Sequence, residues 1–412
     1  GTFATVDSLS VETQGDGAHG IVAEGGLAAY VLSENIVTSG EAAHGIIVSA
    51  GSKTAYAGSD FVETSGDGSD GILATSDGYV FVNSGTIVTS GEAVAGDGGD
   101  GGDGGGDGGD GGGDGGDPFP GDGGDPFPPS GPGPDSIIPD APVGAAVGIV
   151  AISQADGVRV ESNSVTTYGA GAIAIQADAH KNAIVISDEI HTEGDSATGI
   201  SARSRSGDVA ILSGVISTQG EFATGISANS ELADALVLSD QITTAGFGAT
   251  GIDVVADKNI TIESNAIATT GDSAMGISVF TLTGEVDILS GSIDTTGDYA
   301  DAISARGLGG GSDIRILADT ITTAGEDADG IFADTYGDIL IEANSIATTG
   351  EIAAGIFANA GGDITVRANT VSTSNGRSNG ISLLADGGSV LVEVGEVSAE
   401  GDSSSGIEAV AA

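Results

Sequence analysis

The sequence predicts an all-β chain that winds into a single parallel β-helix, or β-solenoid, of about fourteen coils of 25 or 26 residues each. Three observations support this fold class. The pattern I-x-T-x-G-x-x-A-x-G-I recurs fourteen times between Val11 and Ile407, strand-like alternation precedes each copy, and aliphatic residues hold the same places in every copy. Repeats of this length are typical of solenoids, because each coil buries its apolar face only against its neighbours.

The first glycine of the pattern gives every coil a reference point, which we number as position 0. One step between reference points, from Gly91 to Gly169, is 78 residues long, and it becomes an ordinary 26 when an insertion of about 52 residues is removed. We therefore expect coils over residues 1–95, an insertion over 96–143, and coils of the same rod over 144–412. The reference residues are Gly15, Gly40, Gly66, Gly91, Gly169, Gly194, Gly220, Gly246, Gly271, Gly297, Gly325, Gly350, Asn375 and Gly401.

Strands are predicted on both sides of each reference glycine. Positions −11, −9 and −7 alternate as strand residues do, as in Val158, Val160 and Ser162. Position −4 is always Ile or Val, and Ile always occupies position +6 once the insertion is removed. We expect three short strands in each coil and, at about 4.8 Å per coil, a rod on the order of 67 Å long. Position −6 favours a tight left-handed corner, because Asn, Asp or Gly stands there in most coils: Asn163, Asp188, Gly214, Asp240, Asn265 and Gly291.

Composition excludes several classes of function. The chain has 10 basic and 60 acidic residues, so its net charge of −50 repels nucleic acid and anionic membrane surfaces. It has no run of 18 apolar residues, so we expect no membrane insertion by this segment. The absence of cysteine means that no disulfide stabilises the fold.

The insertion contains all nine prolines of the chain. Gly-Gly-Asp triplets fill its first half, and its second half contains Asp-Pro-Phe-Pro twice. One interpretation is a flexible acidic loop whose charges repel one another. The other is a set of extended, polyproline-like strands that contact a partner through Asp117, Phe119, Asp125 and Phe127.

Position +1 is acidic in eleven of the fourteen coils. Stacked carboxylates about 5 Å apart repel each other by roughly 1 kcal/mol in water. Either they splay into solvent and keep the rod soluble, or calcium, which prefers oxygen ligands, lies between them. The residues of this candidate calcium column are Asp16, Glu41, Asp67, Glu92, Asp195, Glu221, Asp272, Asp298, Glu326, Glu351 and Asp402.

Two further polar columns are visible. Thr occupies position −2 in thirteen coils and shares strand parity with the inward residue at −4, so we expect its hydroxyl to point into the core. This parity argues against a flat, ice-binding threonine face. His19, His44 and Asp70 stand in register at position +4 and are either an aligned metal site or a coincidence of surface residues. The repeat supplies no histidine beside a candidate nucleophilic serine, so we do not expect an enzyme.

The repeat itself resembles a known family. Ile36-Val-Thr-Ser-Gly-Glu-Ala-Ala-His-Gly-Ile46 and Ile321-Thr-Thr-Ala-Gly-Glu-Asp-Ala-Asp-Gly-Ile331 look like the repeats of autotransporter passenger domains, the exported parts of type V secreted bacterial surface proteins. The resemblance implies a right-handed parallel β-helix displayed outside the cell. The Gly-Asp and Pro-Phe insertion is not a feature of that family.

From these observations we expect an extracellular, structural or adhesive β-solenoid of a bacterial cell surface, with calcium as a candidate cofactor and an unknown host or surface ligand. The alternative is a fibre subunit that polymerises head to tail, because the sequence holds whole coils and no recognisable capping element. A second copy of the chain, assembled head to tail or laterally, is therefore a candidate partner. A polysaccharide-acting β-helix enzyme is a distant third, which would require paired carboxylates facing one groove.

Overall fold

The structure is a computed structural model that describes residues 1–91 and 146–412. Within these ranges the chain forms 28 β-strands and no helix, so the described part has no helix that could cross a membrane. Each coil contributes one long strand before its reference glycine and one short strand after it. The predicted insertion, with Asp117, Phe119, Asp125 and Phe127, lies outside the described residues.

The long strands carry odd numbers, and most of them have eleven residues. They are β1 (Phe3–Gln14), β3 (Ala28–Ser39), β5 (Ala55–Ser65), β7 (Val80–Ser90), β9 (Val158–Tyr168), β11 (Ala183–Glu193), β13 (Val209–Gln219), β15 (Ala235–Ala245), β17 (Ile260–Thr270), β19 (Val286–Thr296), β21 (Ile314–Ala324), β23 (Ile339–Thr348), β25 (Ile364–Ser374) and β27 (Val390–Glu400).

The short strands carry even numbers and have five residues each. They are β2 (Ile21–Gly25), β4 (Ile46–Ala50), β6 (Ile72–Ser76), β8 (Ile149–Ser153), β10 (Ile175–Ala179), β12 (Ile200–Ser204), β14 (Ile226–Ser230), β16 (Ile252–Ala256), β18 (Ile277–Thr281), β20 (Ile303–Gly307), β22 (Ile331–Thr335), β24 (Ile356–Ala360), β26 (Ile381–Ala385) and β28 (Ile407–Ala411).

The strands form two parallel sheets of fourteen strands, one of long strands and one of short strands. Every strand pairs with its equivalent in the next coil, so Ile190 of β11 lies between Val165 of β9 and Ile216 of β13. The same register joins Ile72 to Ile149 across the part that is not described. The chain is therefore a β-solenoid of about fourteen turns, as the sequence predicts.

The prediction of three strands per coil is wrong, because the first two predicted strands are one bent strand. In β11 the residues Ser187 and Ile190 are both buried although they lie three positions apart, so the inward parity shifts between them. The residue at the bend, Asp188, does not have a positive φ, and neither do its five equivalents at position −6. The shift of the inward-facing positions turns the chain here without a left-handed residue. The left-handed corner that the sequence predicted at position −6 therefore does not form.

The core is a narrow stack of Ile, Val and Ala between the two sheets. Ile190 at position −4 and Ile200 at position +6 are both fully buried, and their columns remain buried in the interior coils. Burying one such side chain contributes roughly 1.5–3 kcal/mol. In the first and last coils Val11 and Val397 are only half-buried, because each has a neighbouring coil on one side.

Candidate functional surface

The turn at position 0 favours glycine for two reasons, and Asn375 replaces it in one coil. At Gly220 the backbone has a φ of 137°, in the left-handed half of conformational space that glycine tolerates best. A Cβ atom there would also lie 2.1 Å from the carbonyl oxygen of Gly194, the equivalent residue of the preceding coil. The stacked coils therefore approach each other closely at these turns, and the side chains that follow each glycine are displayed in register.

The threonine at position −2 closes this turn from inside. In eleven coils its hydroxyl donates to the carbonyl oxygen five residues later, at 2.5–3.3 Å. Nearly all of these threonines are fully buried, which confirms the inward orientation that parity predicts. The hydroxyl satisfies a carbonyl that would otherwise be buried without a partner. The threonines are Thr13, Thr38, Thr64, Thr192, Thr218, Thr244, Thr269, Thr295, Thr323, Thr348 and Thr373.

The acidic residues at position +1 lie on the outer rim of the turns, exposed or half-buried. Where the residue is Asp, its Oδ1 also has a structural role: Asp16, Asp195, Asp272 and Asp298 accept the backbone N–H at position +1 of the next coil, at 2.8–3.1 Å. Among the described residues, no group of three or more His, Asp or Glu side chains is arranged to hold a metal ion. Calcium between neighbouring carboxylates stays a prediction, and Glu92 lies outside the described residues.

Position +2 adopts the left-handed helical conformation in every described coil, and four of these coils have Gly17, Gly68, Gly171 or Gly248 there. The others carry a side chain in this conformation, which costs roughly 1–2 kcal/mol for a non-glycine residue. The backbone is held in place because the N–H of each strained residue except Ser403, in the last coil, donates to a carbonyl oxygen of the next coil. The N–H of Phe222, for example, lies 2.6 Å from the carbonyl oxygen of Phe247.

Three of these strained residues are large and apolar: Phe222 (φ 57°), Tyr299 (φ 60°) and Ile352 (φ 63°). Together with Phe247 at position +1 they form a row on the turns that we call the apolar ridge, with 43–57% of each residue exposed. Ser273 and Asp327 interrupt this row on either side of Tyr299. Phe222 and Phe247 pack edge to face with their ring centroids 5.2 Å apart. Sequence reasoning missed this ridge, although aligning the coils would have shown bulky residues where other coils have glycine.

Position +4 is a column of hydrogen-bond acceptors. Nδ1 of His19 accepts the backbone N–H of His44 at 3.2 Å, and Nδ1 of His44 accepts that of Asp70 at 2.9 Å. The two imidazole rings stack with centroids 5.1 Å apart, and burial, followed by the neighbouring His44, lowers the pKa of His19. The predicted alignment of His19, His44 and Asp70 therefore exists, but their acceptor atoms bind successive backbone amides along the rod.

Asp301 and Asp329 also occupy position +4, seven and eight coils after Asp70. Oδ1 of Asp301 accepts the N–H of Asp329 at 2.8 Å, and Oδ1 of Asp329 accepts the N–H of Ala354 at 2.6 Å. Burial first, and then the carboxylate of Asp329, raise the pKa of Asp301 to about 7. Burial also raises the pKa of Asp329 to about 7, against the lowering effect of its hydrogen bond from Ala354.

Comparison with known proteins gives no match for this chain among protein-family models, curated proteins or solved structures. The basis for a proposal of function is therefore the structure itself: a long stack of coils, an acidic rim on the turns, and an apolar ridge held in a strained backbone.

Proposed function

We propose that this chain is a rigid, structural and adhesive β-solenoid displayed outside a bacterial cell. The apolar ridge of Phe222, Phe247, Tyr299 and Ile352 is its contact surface. The resemblance of its repeat to passenger domains supports the location, and the two continuous parallel sheets support the role of a stiff spacer.

The observation that carries the proposal is the combination of strain and exposure in the ridge. Glycine or serine meets the backbone requirement of position +2 in most other coils, for example in Gly248 and Ser273. Phe222, Tyr299 and Ile352 instead present large, half-exposed apolar side chains to solvent, and Phe222 also packs against Phe247. Strained residues that the surrounding structure holds in place cluster at binding sites, and exposed apolar patches rimmed by polar residues mark contact surfaces.

Replacing the three strained residues tests the adhesive role. Phe222→Gly, Tyr299→Gly and Ile352→Gly together remove three of the four ridge side chains and relax the backbone, so the fold is retained. Beads coated with this variant are compared with wild-type beads on epithelial-cell monolayers and on polystyrene, and circular dichroism verifies the β-structure. We expect adhesion to fall by about tenfold, a loss of about 1.4 kcal/mol.

The matched control changes the same position where the side chain is small: Ser196→Gly, Ser273→Gly and Ser403→Gly. These beads should adhere as wild-type beads do. Equal loss in both triple variants would assign the effect to the turn backbone and contradict the ridge as a contact surface. Wild-type beads that adhere no better than uncoated beads on either surface would contradict the adhesive function.

A fibre subunit is the second candidate, and the sheet edges favour it. Strands β1 and β2 at one end of the stack, and β27 and β28 at the other, each have a hydrogen-bonded neighbour on one side only. Open strand edges are templates for pairing with another chain. Electron microscopy of the 412-residue chain separates the two candidates. Filaments many times longer than about 67 Å support the fibre, and single rods contradict it. Loss of filaments on chelation would assign calcium a role in stacking.

A further inference from the structure

A groove runs along the rod where the long strands bend. It extends from Ile186 to Glu393, crosses nine coils and has a volume of about 1160 Å³. At about 4.8 Å per coil, its length is roughly 38 Å. Positions −8, −7 and −6 of successive coils form one wall, the floor and the other wall, so the groove repeats the same chemistry along its axis.

The wall at position −8 is apolar over most of its length. Its outward-facing residues are aliphatic in five of the first six coils that line the groove: Ile186, Leu212, Leu238, Leu289 and Leu317. Leu289 remains 47% exposed. The first coils of the rod show that the fold does not require aliphatic residues at position −8. There the same three positions line a smaller groove of about 380 Å³, and position −8 holds Asp7, Leu32, Gly58 and Asn83.

The opposite wall is acidic and amide-bearing. Asp188, Asp240 and Asp319 stand at position −6, with Asn265, Asn344 and Asn369 in other coils. Three glutamates, Glu263, Glu342 and Glu393, add to the negative charge from position −8. Arg367 is the one basic residue that lines the groove, and it already pairs with Glu342 at 2.9 Å and Glu393 at 2.8 Å.

The floor of the groove contains serine hydroxyls without a hydrogen-bond partner. In four successive coils the residue at the floor is a serine whose buried hydroxyl oxygen has no hydrogen-bond partner in the described structure. These residues are Ser213, Ser239, Ser264 and Ser290. At the same position nearer the N-terminus, the hydroxyls of Ser162 and Ser187 bond each other at 3.0 Å. Buried polar atoms are normally satisfied, so the floor retains unused hydrogen-bonding capacity. Ser84 in the smaller groove shares this feature, so the two walls carry the choice of occupant.

We propose that this groove binds an extended, basic amphipathic peptide segment of a partner protein, in which Lys or Arg alternates with apolar residues. Successive side chains of an extended strand point to opposite sides. The apolar side chains of the peptide therefore pack on the apolar wall at position −8, and its basic side chains meet the carboxylates of Asp188, Asp240 and Asp319. At about 3.3 Å per residue, roughly eleven or twelve residues fill the groove. The groove lies on the bend of the long strands, away from the apolar ridge, so this inference is independent of the proposed adhesive function.

The experiment measures binding of a labelled dodecapeptide in which lysine alternates with leucine, by fluorescence anisotropy below the concentration at which the peptide associates with itself. Because a chain of net charge −50 attracts any cation, a second peptide of the same composition carries its lysines and leucines in two blocks. We expect the alternating peptide to bind about tenfold more tightly at physiological salt. Equal affinities would overturn the proposal, and so would binding of a neutral glucan in place of the peptide.

Three variants locate the site. Asp240→Asn with Asp319→Asn removes two charges from the polar wall, and Leu238→Ser with Leu289→Ser removes part of the apolar wall. Asp272→Asn with Glu326→Gln removes the same charge from the outer rim of the turns. Each groove variant should weaken the alternating peptide by about tenfold, and the rim variant by less than about twofold. A loss of the same size in the rim variant would overturn the groove as the binding site.

Discussion

Oδ1 of Asp301 accepts the backbone N–H of Asp329, its equivalent in the next coil, at 2.8 Å. The pair keeps two half-buried carboxyls stacked in one column, each with a pKa raised to about 7. Because the folded protein disfavours their ionised forms, these groups contribute most to stability at low pH. That contribution decreases as the pH rises from the ordinary aspartate pKa, about 3.9, through about 7.

We therefore expect Asp329→Asn to raise the melting temperature at pH 8 and to change it little at pH 4. The asparagine Oδ1 can still accept the amide of Ala354, as Asn379 does with Ser405 at 2.9 Å in the same column. Thermal melts of wild type and variant across this range measure the effect. Exposed Asp294 supplies the control, since Asp294→Asn should shift the melting temperature equally at both pH values. A variant with the wild-type pH slope would contradict the assignment.

Alanine at a reference glycine should destabilise the rod. Gly220→Ala forces a φ of 137° on a residue with a Cβ and places that atom 2.1 Å from the carbonyl oxygen of Gly194. We expect a loss of about 2–4 kcal/mol in chemical denaturation. Gly310→Ala is the matched change, because a Cβ at Gly310 has nothing within 4 Å. Equal stability of the two variants would show that the turns can move apart.

Removing one inner threonine hydroxyl should also weaken the stack. Thr269→Val keeps the shape of the side chain and leaves the carbonyl oxygen of Ala274, now bonded at 2.8 Å, without its donor. The expected cost is about 1–3 kcal/mol. Thr261→Val in the same long strand faces outward and should be neutral. Denaturant midpoints of the two variants measure the difference, and a neutral Thr269→Val would mean that water replaces the hydroxyl.

Relieving strain at the ridge should stabilise the protein. Ile352 is β-branched and has a φ of 63°, which asparagine tolerates far better. Ile352→Asn should therefore gain up to about 1 kcal/mol. Val255→Asn replaces another exposed aliphatic residue, on a short strand without positive φ, and should not stabilise. A destabilised Ile352→Asn variant would show that the isoleucine makes a favourable contact in the folded rod.

The sequence was sufficient for the features that follow from period and parity. Ile190, Ile200 and Thr192 point inward as expected, because alternation along a strand determines which face a residue occupies. It was insufficient at Asp188, where residue type suggested a left-handed corner and the structure has a bend within one strand. The same residue types occur where a strand bends and where a strand ends. Only the hydrogen bonds to the two neighbouring coils show whether the strand continues through such a position.

The candidate surfaces were harder to predict than the fold. The ridge depends on backbone strain at Phe222 and Tyr299, which residue identity does not reveal. The groove depends on the concave side of a bend whose existence the sequence did not predict. Both surfaces consist of residues that vary from coil to coil within columns that the fold leaves free, so comparison of the coils with one another is the signal that would have found them.

The pairing of every strand with its equivalents in adjacent coils makes the rod a one-dimensional system. Each interior coil has two interfaces, and its stability depends on those two and on little else. Force applied along the axis should accordingly detach coils one at a time, because each rupture breaks only the interface between two neighbouring coils. A substitution in the middle would divide the molecule into two segments that melt separately, each retaining the cooperativity of its own length.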